Sequence, residues 1–172
     1  MHPGQQRLNH MTDNKINKDE KQKELLKFRN LVLATIEYYQ ENKLMQINTD
    51  KFDSDEYFNG LKTQTEEHFQ KGRLTRLKQW FRDLTEMQVE TGNLEFNNYL
   101  QDTTKYEIDI FKPYFQRVDK VIAKGKITTD NQFYDIRIMV DQLCQTEPAD
   151  KDKIEILNKL LADYENRKSA IS

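Results

Sequence analysis

The residues best suited to chemistry in this 172-residue chain form one basic segment, Lys71 to Arg82. The segment contains five cations, the indole ring of Trp80 and no acid: Lys71, Arg73, Arg76, Lys78, Trp80 and Arg82. Cations that neutralise phosphates beside such a ring can bind nucleic acid. On a helical wheel, however, these cations border an apolar stripe, where long basic side chains usually lie along the core edge with their charge in water. The chain has 27 basic and 29 acidic residues, which give a formal net charge of −2. We therefore favour the interpretation that these cations are a solvated flank of the apolar stripe. Nucleic-acid binding is the alternative.

The sequence contains few residues that could bind a metal ion or a cofactor. His68 lies on the apolar side of a predicted helix, but Thr65 stands where a di-metal bundle needs a glutamate, and the predicted helices contain no second histidine. Asp53 and Asp55 are spaced like the first ligands of a calcium loop, but Tyr57 occupies the position of the third oxygen ligand. We therefore expect no metal site and no cofactor.

Nucleophilic catalysis would depend on Cys144, the single cysteine. No histidine lies close to it in sequence, and helical spacing places it beside Val140 on an apolar face, where we expect a buried thiol. The chain contains no GxSxG, Walker or GxGxxG motif, so we predict that it has no catalytic site of its own. An enzyme with an unrecognised carboxylate-based site is our third alternative. One cysteine forms no intrachain disulfide, and the N-terminus has no apolar signal region, so we expect a cytoplasmic protein.

Helices are the elements that must position these residues. Hydrophobic residues make up 36% and charged residues 33% of the chain, with only 5 glycines and 3 prolines, a composition typical of long amphipathic helices. We predict an all-α fold over residues 18–172: a single-domain bundle of five to six helices, mostly up-and-down and antiparallel. Residues 1–17 are polar and aperiodic, so we expect a disordered leader. The longest apolar run, Leu31–Ala34, is too short to span a membrane, and we expect no membrane partner.

Apolar periodicity and capping signals set the boundaries of the predicted helices. The main helices cover residues 17–42, 54–70, 74–90, 104–124, 131–145 and 151–168, and a short additional helix covers residues 94–101. Asp53 with Glu56, and Thr129 with Gln132, have the spacing of a capping box at a helix start. Gly125 has the position of a glycine that ends a helix.

Pro113 interrupts the apolar series of the helix predicted over residues 104–124. A proline inside a helix removes a backbone hydrogen bond and clashes with the preceding turn, so it kinks or breaks the helix. The apolar side chains keep the same helical phase on both sides of Pro113. We therefore predict one continuous helix that is kinked at this residue.

A second apolar patch lies on the helix predicted over residues 131–145. Tyr134 and Ile138 stand one turn apart, opposite the main apolar face of that helix. Either the helix is central and packs on two sides, or these two side chains face another protein or a second copy of the chain. In the absence of a ligand cluster or phosphate loop, we expect a helical protein-interaction module: an adaptor, a regulatory subunit or an inhibitor-type subunit. Tyr134 and Ile138 are its candidate partner surface.

Overall fold

The computed structural model describes the backbone of residues 9–171 and the side chains of residues 17–171. The described residues form seven helices and no strand, so the fold is all-α, as predicted. The helices are α1 (Asn9–Glu41), α2 (Ser54–Gln70), α3 (Leu74–Glu90), α4 (Leu94–Thr104), α5 (Lys112–Lys124), α6 (Asp130–Cys144) and α7 (Lys151–Ser169). Their number exceeds the five or six expected. Helix α1 begins eight residues before its predicted start, and the first eight residues of the predicted leader lie outside the described range.

The predicted helix caps of α2 and α6 are present. The Asp53 side chain accepts a hydrogen bond from the Glu56 N–H at 3.0 Å, and the Thr129 hydroxyl accepts one from the Gln132 N–H at 3.2 Å. Each bond satisfies one of the N–H groups that a helix leaves without a partner in its first turn. Gly125 ends α5 with a φ of 69°, in the left-handed region that favours glycine.

The predicted helix kinked at Pro113 is wrong. Residues 105–111 are not helical, and Pro113 lies in the first turn of α5. Because the first N–H groups of a helix have no partner within it, a proline at this position removes no hydrogen bond. Asp109 Oδ1 accepts hydrogen bonds from the N–H groups of Phe111 and Lys112, at 2.9 and 3.2 Å. Phe111 is buried although it precedes the helix, so the apolar pattern crosses the proline without helical structure on both sides.

The helices group into two compact units. Unit 1 contains the described residues up to Glu86 together with Glu95–Ile108, and therefore α1, α2, most of α3 and nearly all of α4. Unit 2 contains Met87–Leu94 and the described residues from Asp109 onward, and therefore the end of α3 and all of α5, α6 and α7. The single domain expected over residues 18–172 stays a prediction.

Unit 1 is arranged around α1. Helix α2 runs antiparallel to α1 and α3 runs parallel to it, as side-chain contacts near the middle and the C-terminal end of α1 show. These contacts are Arg29–Glu66 and Tyr39–Phe58 for α2, and Glu24–Lys78 and Tyr39–Leu84 for α3. The core combines aliphatic side chains with five buried aromatic rings: Tyr38, Tyr39, Phe58, Phe81 and Phe96. Tyr38 packs edge-on against Phe96 at a centroid distance of 4.9 Å.

Unit 2 has a mostly aliphatic core. Tyr114 lies within it among aliphatic and thioether side chains: Val118, Val121, Ile127, Ile136, Met139, Leu157 and Leu160. Helices α6 and α7 run antiparallel, because Asp130 at the start of α6 accepts hydrogen bonds from Tyr164 and Lys168 near the end of α7. Within the described range, every helix is too short or too polar to cross a membrane.

Candidate interaction surfaces

The connector between α1 and α2 carries an exposed apolar cluster that sequence reasoning missed. Met45, Ile47, Phe52 and Tyr57 each expose between 42% and 60% of their surface, and we call these four residues the connector patch. The rings of Phe52 and Tyr57 lie 5.6 Å apart, which joins the connector to the first turn of α2. Large apolar side chains exposed together, rather than singly, mark surfaces that bind other molecules.

Hydrogen bonds hold the connector in a defined conformation. The N–H of Thr49 donates to the carbonyl of Phe52 at 2.9 Å, and the N–H of Phe52 donates back at 3.2 Å. Asn48 Oδ1 accepts hydrogen bonds from both the N–H and the hydroxyl of Ser54, whose side chain is buried. These bonds hold residues 48–54 in a turn that contains Phe52 and directly follows Ile47.

The segment that carries the connector patch is rich in acidic residues. Residues 42–57 contain four acids and two lysines, for a local charge of 2 − 4 = −2: Asp50, Asp53, Asp55, Glu56, Lys43 and Lys51. Asp53 serves as the cap of α2, while Asp50 and Asp55 are exposed. The segment therefore combines exposed apolar side chains with a negative net charge.

The structure separates the two residues of the predicted partner surface. Ile138 is half-buried and packs against the core of unit 2, as the central-helix alternative expects. Tyr134 is 56% exposed, with its ring edge-on to Phe133 at 5.9 Å. Of this pair, Tyr134 presents most of its surface to solvent, and its role in binding a partner stays a prediction.

The cationic side chains of the basic segment lie in different environments. Three of its five cations form ion pairs with acids of unit 1. These pairs are Lys71–Glu67 at 3.6 Å, Lys78–Glu24 at 3.0 Å and Arg82–Asp83 at 3.6 Å. Such exposed pairs add little stability, but they reduce the positive charge that the segment offers to a nucleic acid.

Trp80 is half-buried and packs against His68. The two rings meet edge-on at a centroid distance of 4.9 Å, so only part of the indole is available to stack on a base. Nδ1 of His68 is buried and makes no hydrogen bond with any described residue. Burial and the neighbouring cations Arg73 and Arg76 lower the pKa of His68, which keeps the imidazole neutral.

Arg73 and Arg76 form no ion pair with the described part of the chain. Together with Lys21 of α1 they line a cavity of about 460 Å³ at the start of α3, and we call these three residues the cation pocket. Gln79 also lines this cavity, and its Oε1 accepts a hydrogen bond from Arg76 at 3.4 Å. Sequence reasoning found the two arginines but not Lys21, which the packing of α1 brings to them.

Cys144 is exposed, so its predicted burial is wrong. It is the last residue of α6, where the helix face that packs on the core ends. Among residues 17–171, no group of three or more histidine, cysteine, aspartate and glutamate side chains is placed to hold a metal ion.

The connector patch and the cation pocket are the two candidate binding surfaces. The first offers apolar surface, and the second offers positive charge and hydrogen-bond donors. Neither contains a nucleophile beside a general base, which is the arrangement that covalent catalysis needs. Comparison of the chain with protein-family models, with curated protein sequences and with solved structures found no match.

Proposed function

We propose that the chain is a helical protein-interaction module, an adaptor, regulatory or inhibitor-type subunit, and that the connector patch is its partner-binding surface. One observation carries this proposal: four large apolar side chains are exposed on the connector and the first turn of α2, where hydrogen bonds hold residues 48–54 in a defined conformation. Aromatic residues and methionine are enriched in protein interfaces, and three of the four residues of the connector patch are of these types. A preformed connector also reduces the entropy that binding would cost.

The negative net charge of the segment that carries the connector patch favours a basic partner. Complementary charge speeds the encounter of two proteins and disfavours partners of the same sign. We therefore propose a partner segment whose apolar side chains cover Ile47 and Phe52 and whose lysines or arginines lie near Asp50 and Asp55. The single free thiol, Cys144, is compatible with a reducing compartment, and the cytoplasm is part of the same proposal.

Nucleic-acid binding by the whole basic segment has weaker support. Three of its cations are paired with acids, and Trp80 packs against His68. An enzyme stays the third alternative, because the described surfaces favour binding over acid–base chemistry.

Selection from a random peptide library tests the proposed partner chemistry. We expect the wild-type chain to select peptides enriched in apolar and basic residues. Binding of these peptides should fall at least tenfold in the double variant Ile47→Ser with Phe52→Ser, because each substitution removes an apolar contact at the centre of the patch.

A matched variant controls for a general loss of apolar surface. Ile156 and Phe115 are of the same two residue types, are exposed to a similar degree and belong to unit 2. The double variant Ile156→Ser with Phe115→Ser should bind the selected peptides as the wild type does. Selected peptides that are acidic, or that bind the connector variant unchanged, would overturn the proposal.

A further inference from the structure

The cation pocket gathers three positive charges that the described part of the chain leaves without an acidic partner. Lys21 comes from α1, whereas Arg73 and Arg76 come from the turn before α3 and from its first turn. None of the residues that line the cavity is acidic. Like charges held close together repel one another, and an anion bound between them relieves that repulsion.

Arginine and lysine side chains elsewhere in the described structure bind carboxylates across helices. Arg29 makes two hydrogen bonds to Glu66, at 2.6 and 2.9 Å, and Arg117 makes two to Asp135, at 2.8 and 3.2 Å. The chain thus contains acids placed to satisfy guanidinium groups where helices meet. At the cation pocket, two guanidinium groups and one ammonium group have no such acid among the side chains of residues 17–171.

We propose that the cation pocket binds the phosphate group of a small anionic ligand. A guanidinium group presents a planar set of donors that matches two phosphate oxygens at once, and the pocket offers two such groups. A phosphate monoester carries nearly two negative charges at neutral pH, which suits a site with three cations. A cavity of about 460 Å³ has the size of a small-molecule site.

The neighbourhood of the pocket contains uncharged donors that suit the same ligand. The Thr75 hydroxyl and the Gln79 side-chain amide line the cavity, and both can donate to phosphate oxygens. No acid lies in the first turn of α3, so the partial positive charge of that helix start adds to the field of the cations. Burial, and secondarily the positive charges of Arg73 and Arg76, lower the pKa of the neighbouring His68.

Calorimetric titration with inorganic phosphate, pyrophosphate and a nucleoside diphosphate tests the proposal. We expect pyrophosphate to bind the full chain at millimolar concentration or below, and the double variant Arg73→Gln with Arg76→Gln to bind at least tenfold more weakly. The same affinity for pyrophosphate and the nucleoside diphosphate would identify the phosphates as the whole recognised group. Tighter binding of the nucleoside diphosphate would show that the pocket also contacts the organic part.

The variant Arg82→Gln is the matched control. Arg82 is an exposed arginine of the same helix, but it does not line the cavity. We expect Arg82→Gln to bind pyrophosphate within twofold of the wild type. An equal loss in Arg82→Gln, or tight binding of single-stranded RNA that Arg82→Gln weakens as much as the pocket variant does, would replace the pocket by a diffuse basic surface and overturn the proposal.

Titration of His68 by NMR gives a second measurement that does not depend on affinity alone. A bound phosphate offsets the charges of Arg73 and Arg76, so pyrophosphate should raise the pKa of His68 in the wild type. The pKa should not respond in the double variant. Absence of heat with all three ligands at millimolar concentration, with no shift of the His68 titration, would refute the site.

Discussion

Units 1 and 2 each contain one fully buried tyrosine whose hydroxyl donates to a backbone carbonyl of a facing helix. Tyr39 donates to the carbonyl of Leu84 in unit 1, and Tyr114 donates to that of Asp135 in unit 2. Their surroundings differ. The ring of Tyr39 lies among the buried aromatic rings of unit 1, whereas Tyr114 lies among the aliphatic side chains of the unit 2 core, with only its exposed chain neighbour as a close aromatic contact.

This difference shows how the same helical pattern produces two kinds of core. Aromatic rings prefer edge-to-face or offset arrangements at defined distances, so an aromatic core constrains the helices that supply its rings. Aliphatic cores accept substitutions of similar volume with modest rearrangement. The connector patch and the cation pocket both belong to unit 1, where ring contacts join α1 to α2, α3 and α4. The side chains of a binding surface keep a more defined geometry when the helices that carry them are packed in this way.

The largest expected effect compares the two tyrosines directly. Both Tyr39→Leu and Tyr114→Leu remove a buried hydroxyl and part of a ring. We expect a loss of about 3–4 kcal/mol in the free energy of unfolding for Tyr39→Leu and about 2 kcal/mol for Tyr114→Leu, because only Tyr39 loses several ring–ring contacts. Urea denaturation followed by circular dichroism measures both. Equal losses, or a larger loss at Tyr114, would contradict the distinction between the two cores.

Loss of a helix cap should lower the free energy of unfolding by the same amount in both units, because a cap acts on its own helix and does not depend on the core. We expect Asp53→Ala and Thr129→Ala each to lower the free energy of unfolding by about 1 kcal/mol. The conservative variants Asp53→Asn and Thr129→Ser should retain most of this stability, since both residues can still cap. Urea denaturation of the four variants checks this, and a several-fold difference between the two alanine variants would show that the caps depend on tertiary context.

The smallest effect is a pH dependence that belongs to unit 2. Burial, and secondarily the negative charge of Asp135, raise the pKa of Tyr114. Above its ordinary value of 10.0 the unfolded chain loses this proton while the folded chain retains it, so the stability due to Tyr114 falls as the pH rises through that value. The variant Tyr114→Phe should therefore lose less stability than the wild type between about pH 9 and pH 11. Parallel stability curves for the two proteins would contradict the assignment.

The parts of the fold that sequence predicted well depend on local signals. Asp53 and Thr129 cap helices by hydrogen bonds to N–H groups three residues ahead, and Gly125 adopts the left-handed conformation that ends α5. Such features need only neighbouring residues. Pro113 was misplaced because its apolar neighbours satisfy helical spacing in either arrangement, and only the burial of Phe111 outside the helix distinguishes them.

The candidate surfaces were predicted only in part, because packing decides them. The basic segment is visible in the sequence, but the pairing of Lys78 with Glu24 and the approach of Lys21 to Arg73 join residues about 50 positions apart. The connector patch has apolar residues without helical or strand periodicity, so its sequence has the pattern of an ordinary linker. The hydrogen bonds between Thr49 and Phe52 give the connector a defined conformation, and sequence periodicity does not predict such bonds.

Trp80 gives the molecule an internal optical probe. It is the single tryptophan of the chain and belongs to unit 1, so its emission follows the opening of that unit alone. Far-ultraviolet circular dichroism, in contrast, follows the helices of both units. If the units unfold as one cooperative system, the two signals change at the same denaturant concentration, whereas independent units produce two separate transitions. The placement of one indole therefore makes the cooperativity of the whole chain measurable without a label.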